Sequence, residues 1–118
     1  FGLLGHLLEV CRASNVGAVV DFARIPLLPA TLELARAGLV TGASGRNFAG
    51  YGDAVDFGAG DSTLVRAILT DPQTSGGLLV ACAPAHADAV VATFRAEGFA
   101  EAAVIGECVA GPPRVAVR

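Results

Sequence analysis

The residues of this 118-residue chain best suited to chemistry sit in one short string, Asp71-Pro-Gln-Thr-Ser-Gly-Gly77. It places a carboxylate, an amide and two hydroxyls close together and follows them with two glycines. An Asp before Pro is held out of helical backbone, because the proline ring clashes with α geometry at the residue before it. Asp71 should therefore project from a turn. Gly76 and Gly77 permit positive φ or the close approach of a second backbone. Such a string serves as a polar rim at a ligand site or a domain junction. The competing reading is a self-sufficient turn in which Asp71 and Thr74 bond their own backbone.

A second stretch, 42–60, carries Gly42, Gly45, Gly50, Gly52, Gly58 and Gly60 among Ser44, Arg46, Asn47, Tyr51 and Asp53. It reads as a long loop, and long loops in compact domains are usually functional. Its 42–53 part could be a lid, or an anion cradle with Arg46 as ligand, set against a plain surface loop. Gly58-Ala-Gly60 opens a dinucleotide fingerprint but lacks the third glycine. All eight cations are Arg and none is Lys, which excludes a P-loop and Schiff-base catalysis. His6 and His86 fall on polar helix faces, and no Ser or Cys is spaced for a triad. Cys11, Cys82 and Cys108 are odd in number with no C-x-x-C pair, so neither a disulfide framework nor a compact zinc site is expected. All three read as buried, reduced thiols, which suits a cytoplasmic protein.

These segments need elements to hold them. Leu3, Leu4, Leu7, Leu8 and Cys11 keep the i, i+3, i+4, i+7 spacing of one helix face, and the helix should stop near Asn15 and Gly17. Residues 18–22 read as a strand. Pro26 and Pro29 break the chain before a helix that runs to Ala37 and ends at Gly38. A brief strand is expected over 54–57. Asp61 should then cap a short helix with Leu64, Val65, Ile68 and Leu69 on its core face. Residues 78–83 read as a fully apolar strand, and Pro84 opens a helix with Ala87, Val90, Val91 and Phe94 inward. Two strands, 103–109 and 114–117, finish the pattern. Strands alternating with helices predict an α/β (α+β) domain with one mixed sheet flanked by helices.

Composition agrees with a globular domain. Hydrophobic residues make up 53 % and charged residues 16 %, against a norm near about 25 % charged. The net charge of −3 and the scattered cations exclude a basic stripe for nucleic acid. No apolar run approaches the roughly 18 residues of a membrane span, and no signal peptide is evident. With no Met in the sequence, Phe1 reads as an internal start, so the chain is taken as a piece or a processed product.

Several strings occur in a telling order: Phe1-Gly-Leu-Leu-Gly-His-Leu7, Leu27-Leu-Pro29 leading to Leu32-Glu-Leu-Ala-Arg-Ala-Gly38, Thr41-Gly-Ala-Ser44 with Arg46-Asn47, Tyr51-Gly-Asp53, and Asp71-Pro-Gln-Thr-Ser-Gly-Gly-Leu-Leu79. Together they resemble the C-terminal domain of selenophosphate synthetases (selenide, water dikinases). The likeness spans essentially the whole chain, is weakest over 54–63, and departs at Phe48, where a larger aromatic is expected.

The resemblance implies a fold of the superfamily that includes aminoimidazole ribonucleotide synthetase, with a mixed, partly ferredoxin-like sheet, over a single C-terminal domain, 1–118. It implies an activity of the intact enzyme, which turns ATP, selenide and water into selenophosphate, AMP and phosphate, with ATP and Mg2+ as cofactors. The product donates selenium for selenocysteine and selenouridine synthesis. It implies partners: the enzyme's own N-terminal domain, a second subunit in a homodimer and selenide as substrate, with no nucleic acid and no membrane. The family's nucleophile, its Lys and its metal-binding Asp residues lie in the N-terminal part, one of those Asp residues in an Asp-Val-Thr-Gly run just ahead of the string that opens here. By position, Asp71, Gln73, Thr74, Ser75 and Asn47 are left as candidates for the interdomain face over the ATP site. No catalytic or metal residue is assigned, and the piece is expected to be inactive alone and to hold no cofactor tightly. The alternative is a free-standing small-molecule binding or regulatory module of ferredoxin-like shape.

Overall fold

A computed structural model describes residues 1–59 and 62–118. Helix α1 (Gly2–Ser14) forms where the leucine spacing requires it, burying Leu4, Leu7, Leu8 and Cys11. It ends at Asn15 in left-handed backbone (φ 52°), where the short polar side chain tolerates a conformation most residues avoid. Strand β1 (Gly17–Val20) follows, and the chain then turns through a 3-10 segment, Phe22–Arg24. The strand is shorter than the 18–22 expected. Asp21 ends it by accepting the Ala23 amide hydrogen on its side chain at 3.0 Å, so Phe22 belongs to the turn.

The sheet also contains β2 (Val55–Asp56), β3 (Gly106–Val109) and β4 (Val115–Val117), in the order β2-β4-β1-β3. β4 runs parallel to both β1 and β2, and β3 pairs antiparallel with β1, with Ala18 opposite both Val115 and Cys108. The sheet is mixed and carries helices, as expected. Helix α1 lies against β1 and β4, and its leucines meet Ala18, Val20, Val115 and Val117 in one core.

Helix α2 (Thr31–Arg36) ends close to the expected place. The 42–53 stretch is not a loop. It forms helix α3 (Gly42–Tyr51) and a 3-10 turn, Gly52–Ala54. Glycine in a helix interior costs roughly 1 kcal/mol relative to Ala, and α3 carries that cost several times over. Packing outweighs it: Tyr51 is buried, and its hydroxyl donates to the Phe1 carbonyl at 2.6 Å. Gly5 lets the two helices close up, since a Cβ there would stand 3.0 Å from the Tyr51 ring. Helix α4 (Thr63–Leu69) buries Ile68 and Leu69, with Leu64 and Val65 packed at the core's edge. The expected cap, Asp61, and the Gly60 of the weak fingerprint lie outside the described residues.

After α4 the chain leaves the core. Residues 78–83 join no ladder, contrary to the expected strand. Leu78 is 82 % exposed and Val80 49 %, while Leu79 between them packs on the core. A 3-10 turn, Pro84–His86, leads into α5 (Ala87–Ala96), in which no residue is buried. Ala87, Val90, Val91 and Phe94, expected inward, are its half-buried positions, with Phe94 edge-on to Phe99, but none of the four packs on the hydrophobic core.

Candidate functional site

Thr70 is the foundation of the Asp71 string. It is fully buried at the end of α4, where its amide and its hydroxyl both donate to the Arg66 carbonyl, the hydroxyl at 2.7 Å. Gly2, at φ 71°, brings α1 against it: a Cβ at Gly2 would lie 2.6 Å from the Thr70 backbone. The Thr70 carbonyl accepts a hydrogen bond from Asn47 Nδ2 at 2.9 Å. So α1, α3 and α4 all converge on the residue that precedes Asp71.

Asp71 is half-buried. Its amide donates to the Ile68 carbonyl, and its Oδ1 accepts from the Thr41 hydroxyl at 3.0 Å. Thr41 stands at the N-cap of α3, where a threonine hydroxyl ordinarily accepts from a helix amide; here it turns to the carboxylate instead. The buried Ser44 hydroxyl lies 3.1 Å from that of Thr41 and 3.3 Å from the Ala67 carbonyl. With Thr41's single proton on Asp71, Ser44's proton is shared between those two acceptors. The orientation of Asp71 is thus set from α3, thirty residues away in sequence.

Beyond Asp71 the segment is open. Gln73, Thr74 and Ser75 are exposed and make no side-chain hydrogen bond to any described residue, although Gln73 folds back over Gly76. Thr74 and Ser75 form the turn itself. The result is a fixed carboxylate with three unengaged polar side chains beyond it. A cavity of about 540 Å³ opens elsewhere, at the carboxyl ends of β1, β2 and β4, between Phe22, Phe57, Val117 and Arg118, and includes none of these residues.

The expected site residues divide in two. Asp71, Gln73, Thr74 and Ser75 form one exposed ridge, while Asn47 lies behind it as a brace. Thr41 and Ser44 belong to the same polar cluster, and their role was not read from the sequence. The available signal was a Thr three residues before a Ser at a helix start, obscured by the glycines that made the stretch look like a loop. Arg46 is exposed on α3, so no flexible cradle surrounds it. His6 and His86 are exposed, as expected, and His6 Nδ1 lies 3.0 Å from Glu9.

The cysteines depart from expectation: Cys11 is buried, but Cys82 and Cys108 are exposed. Cys82 lies in the unpaired 78–83 segment and Cys108 on the edge strand β3, so neither is covered. Burial, and secondarily the neighbouring Cys108, push the Cys11 thiol above its ordinary 9.0. Burial also raises the Tyr51 phenol, with a hydrogen bond from the Gly5 backbone acting the other way.

The chain thus combines a mixed four-stranded sheet flanked by helices with a hydrogen-bonded carboxylate on an otherwise open ridge. The family assignment agrees: residues 1–118 match the family described as AIR synthase related protein, C-terminal domain, and the chain belongs to that family. Among curated relatives, it is 56 % identical over 117 residues to a selenide, water dikinase of Paraburkholderia xenovorans (strain LB400), which covers 99 % of this chain and 33 % of the relative. Selenide, water dikinases of Dechloromonas aromatica (strain RCB) and Rhizobium meliloti (strain 1021) are 49 % and 45 % identical over the same 117 residues, each match covering 34 % of the relative. The chain thus spans about a third of the length of the relatives it matches.

Proposed function

We propose that this chain is the C-terminal part of a selenide, water dikinase, which converts ATP, selenide and water to selenophosphate, AMP and phosphate, and that its Asp71–Ser75 ridge forms a wall of the ATP site shared with the N-terminal domain. The observation that carries this reading is the fixed Asp71 carboxylate beside unengaged Gln73, Thr74 and Ser75, in a chain 45–56 % identical to enzymes of that name. A carboxylate oriented in advance from α3 loses little freedom when it meets a charged or metal-bound group, the condition under which positioning lowers a barrier. Asn47 supports the ridge from behind and does not face a ligand.

Magnesium is a separate question. Among the described residues no group of three His, Cys, Asp or Glu side chains gathers. Phosphoryl transfer depends on positioned metal and phosphate-binding groups, so the chain alone should be inactive. No described helix is long and apolar enough to cross a membrane. The setting we propose is the cytoplasm, where reduced selenide would be available and selenophosphate would feed selenocysteine synthesis. The ridge is also the proposed contact with the N-terminal domain of the same subunit, within a homodimer.

The test uses two proteins. The 118-residue chain, given ATP, selenide and magnesium, should release no AMP above background. In the longer polypeptide, Asp71→Asn should lower turnover about tenfold or more, each tenfold being about 1.4 kcal/mol of transition-state stabilisation. The same change should alter the stability of the 118-residue chain by no more than ~0.5–1 kcal/mol, because Asn can still accept from Thr41. Full turnover with a large loss of stability would make the string structural.

A further inference from the structure

Residues 78–102 form an arm that the other described residues cover only in part. Its first part, Leu78-Leu-Val-Ala-Cys-Ala83, contains no charge and no proline. Its side chains alternate, with Leu79 on the core and Leu78 and Val80 turned out. Edge strands that face water carry charges, prolines or bulges to prevent pairing. An uncharged apolar run reads instead as an interior strand with neighbours on its flanks. The second part, α5, sets Ala87, Val90, Val91 and Phe94 on one helix face, and that face is only half-buried and lies outside the hydrophobic core. Such a stripe on a helix ordinarily faces a core. A strand without a ladder and a helix without a core, adjacent in the chain, lack the same layer.

We infer that this arm is completed by an extended segment of the longer polypeptide, which pairs along 78–83 and supplies part of the apolar surface that α5 covers. The occupant is argued from length: the relatives are about three times as long as the matched region, so most of their chain lies outside these residues. It is argued also from chemistry, because an uncharged edge offers backbone hydrogen bonds and apolar contact and nothing for a charged ligand. The inference rests on membership of the family, and not on the selenide reaction or on the Asp71 ridge.

Amide hydrogen exchange on two unaltered proteins provides the test. In the 118-residue chain the amides of residues 79–83 should exchange within tenfold of unstructured rates. In the longer polypeptide they should exchange at least a hundredfold more slowly. Equal, fast exchange in both would overturn the inference. Protection in the short chain that grows with protein concentration would overturn it too, by making a second copy the occupant. Val80→Pro and Ala81→Pro, made separately, address the pairing itself. Successive amides of an extended segment point to opposite edges, so at least one should abolish the protection in the longer polypeptide, while both leave the melting of the short chain unchanged. Because the exchange comparison needs no substitution, a proline variant that fails to fold leaves the outcome decided. Loss of turnover with protection intact would bear on the proposed reaction and not on this pairing.

Discussion

Replacing Asn47 separates bracing from ligand binding more sharply than any other change near the ridge. Its Nδ2 donates to the carbonyl of Thr70, a residue with no exposed surface. In Asn47→Ala that carbonyl loses its donor in a place where water has poor access. Leaving a buried acceptor unsatisfied costs about 1–3 kcal/mol. For a chain of this size each kcal/mol moves the melting midpoint by about 3–6 °C, so the expected fall is roughly 3–18 °C. Asn47→Asp should do at least as much harm, since it turns an acceptor toward an acceptor. Arg46→Ala, one position earlier and exposed, should stay within about 0.5 kcal/mol and serves as the control. The assay is thermal or urea unfolding of the 118-residue chain, followed by circular dichroism. An unchanged midpoint in both Asn47 variants would refute the brace. Turnover lost in the longer polypeptide at full stability would then return Asn47 to the nucleotide face.

Other outcomes follow from the same packing. Gly2→Ala would place a methyl 2.6 Å from the Thr70 backbone at φ 71°, and strain plus overlap should cost about 2–5 kcal/mol, read as a lower urea midpoint. Of the three cysteines, Cys82 and Cys108 should be alkylated quickly in the folded chain and Cys11 only on unfolding, as counted by mass spectrometry. Because folding raises the pKa of Cys11 and of Tyr51, their stabilising contribution is complete below the ordinary values of 9.0 and 10.0 and declines as pH rises past them toward the folded values. Stability should thus fall as pH rises beyond about 9, and Cys11→Ala should make the early part of that fall shallower.

Local chemistry made much of this fold legible. The leucine stripe of α1 and its stop at Asn15 require no tertiary information, and the apolar runs around 55–56 and 115–117 become strands by pairing with each other and with β1. Two segments depart from their local preference, for opposite reasons. Helix α3 has weak local preference, because its glycines argue for a loop, and it exists through contacts with α1 and α4 that sequence spacing does not reveal. Residues 78–83 have strong strand preference but no partner strand among the described residues, and propensity without a neighbouring strand makes no ladder. The ridge was legible as a polar string after a helix. Its support was not, since the bonds from Thr41 to Asp71 and from Asn47 to Thr70 each span more than twenty residues.

The placement of β4 has a consequence for how the molecule assembles. It is the last strand in chain order yet sits inside the sheet, joining β1 to β2, which are not neighbours. Almost the whole chain must therefore be present before Val115 can meet Ala18, and the sheet closes through a contact between distant parts of the sequence. Contacts of that kind slow folding, because the entropy of closing the loop is lost before any pairing offsets it. The helical face around α1, α3 and α4 needs no such wait, since its contacts lie within the first 70 residues. Shortening the chain by the few residues of β4 would remove little mass but would leave β2 with no strand beside it. A nascent or clipped chain would then keep its helices and the β1–β3 pair and lose the β2-β4-β1 half of the sheet.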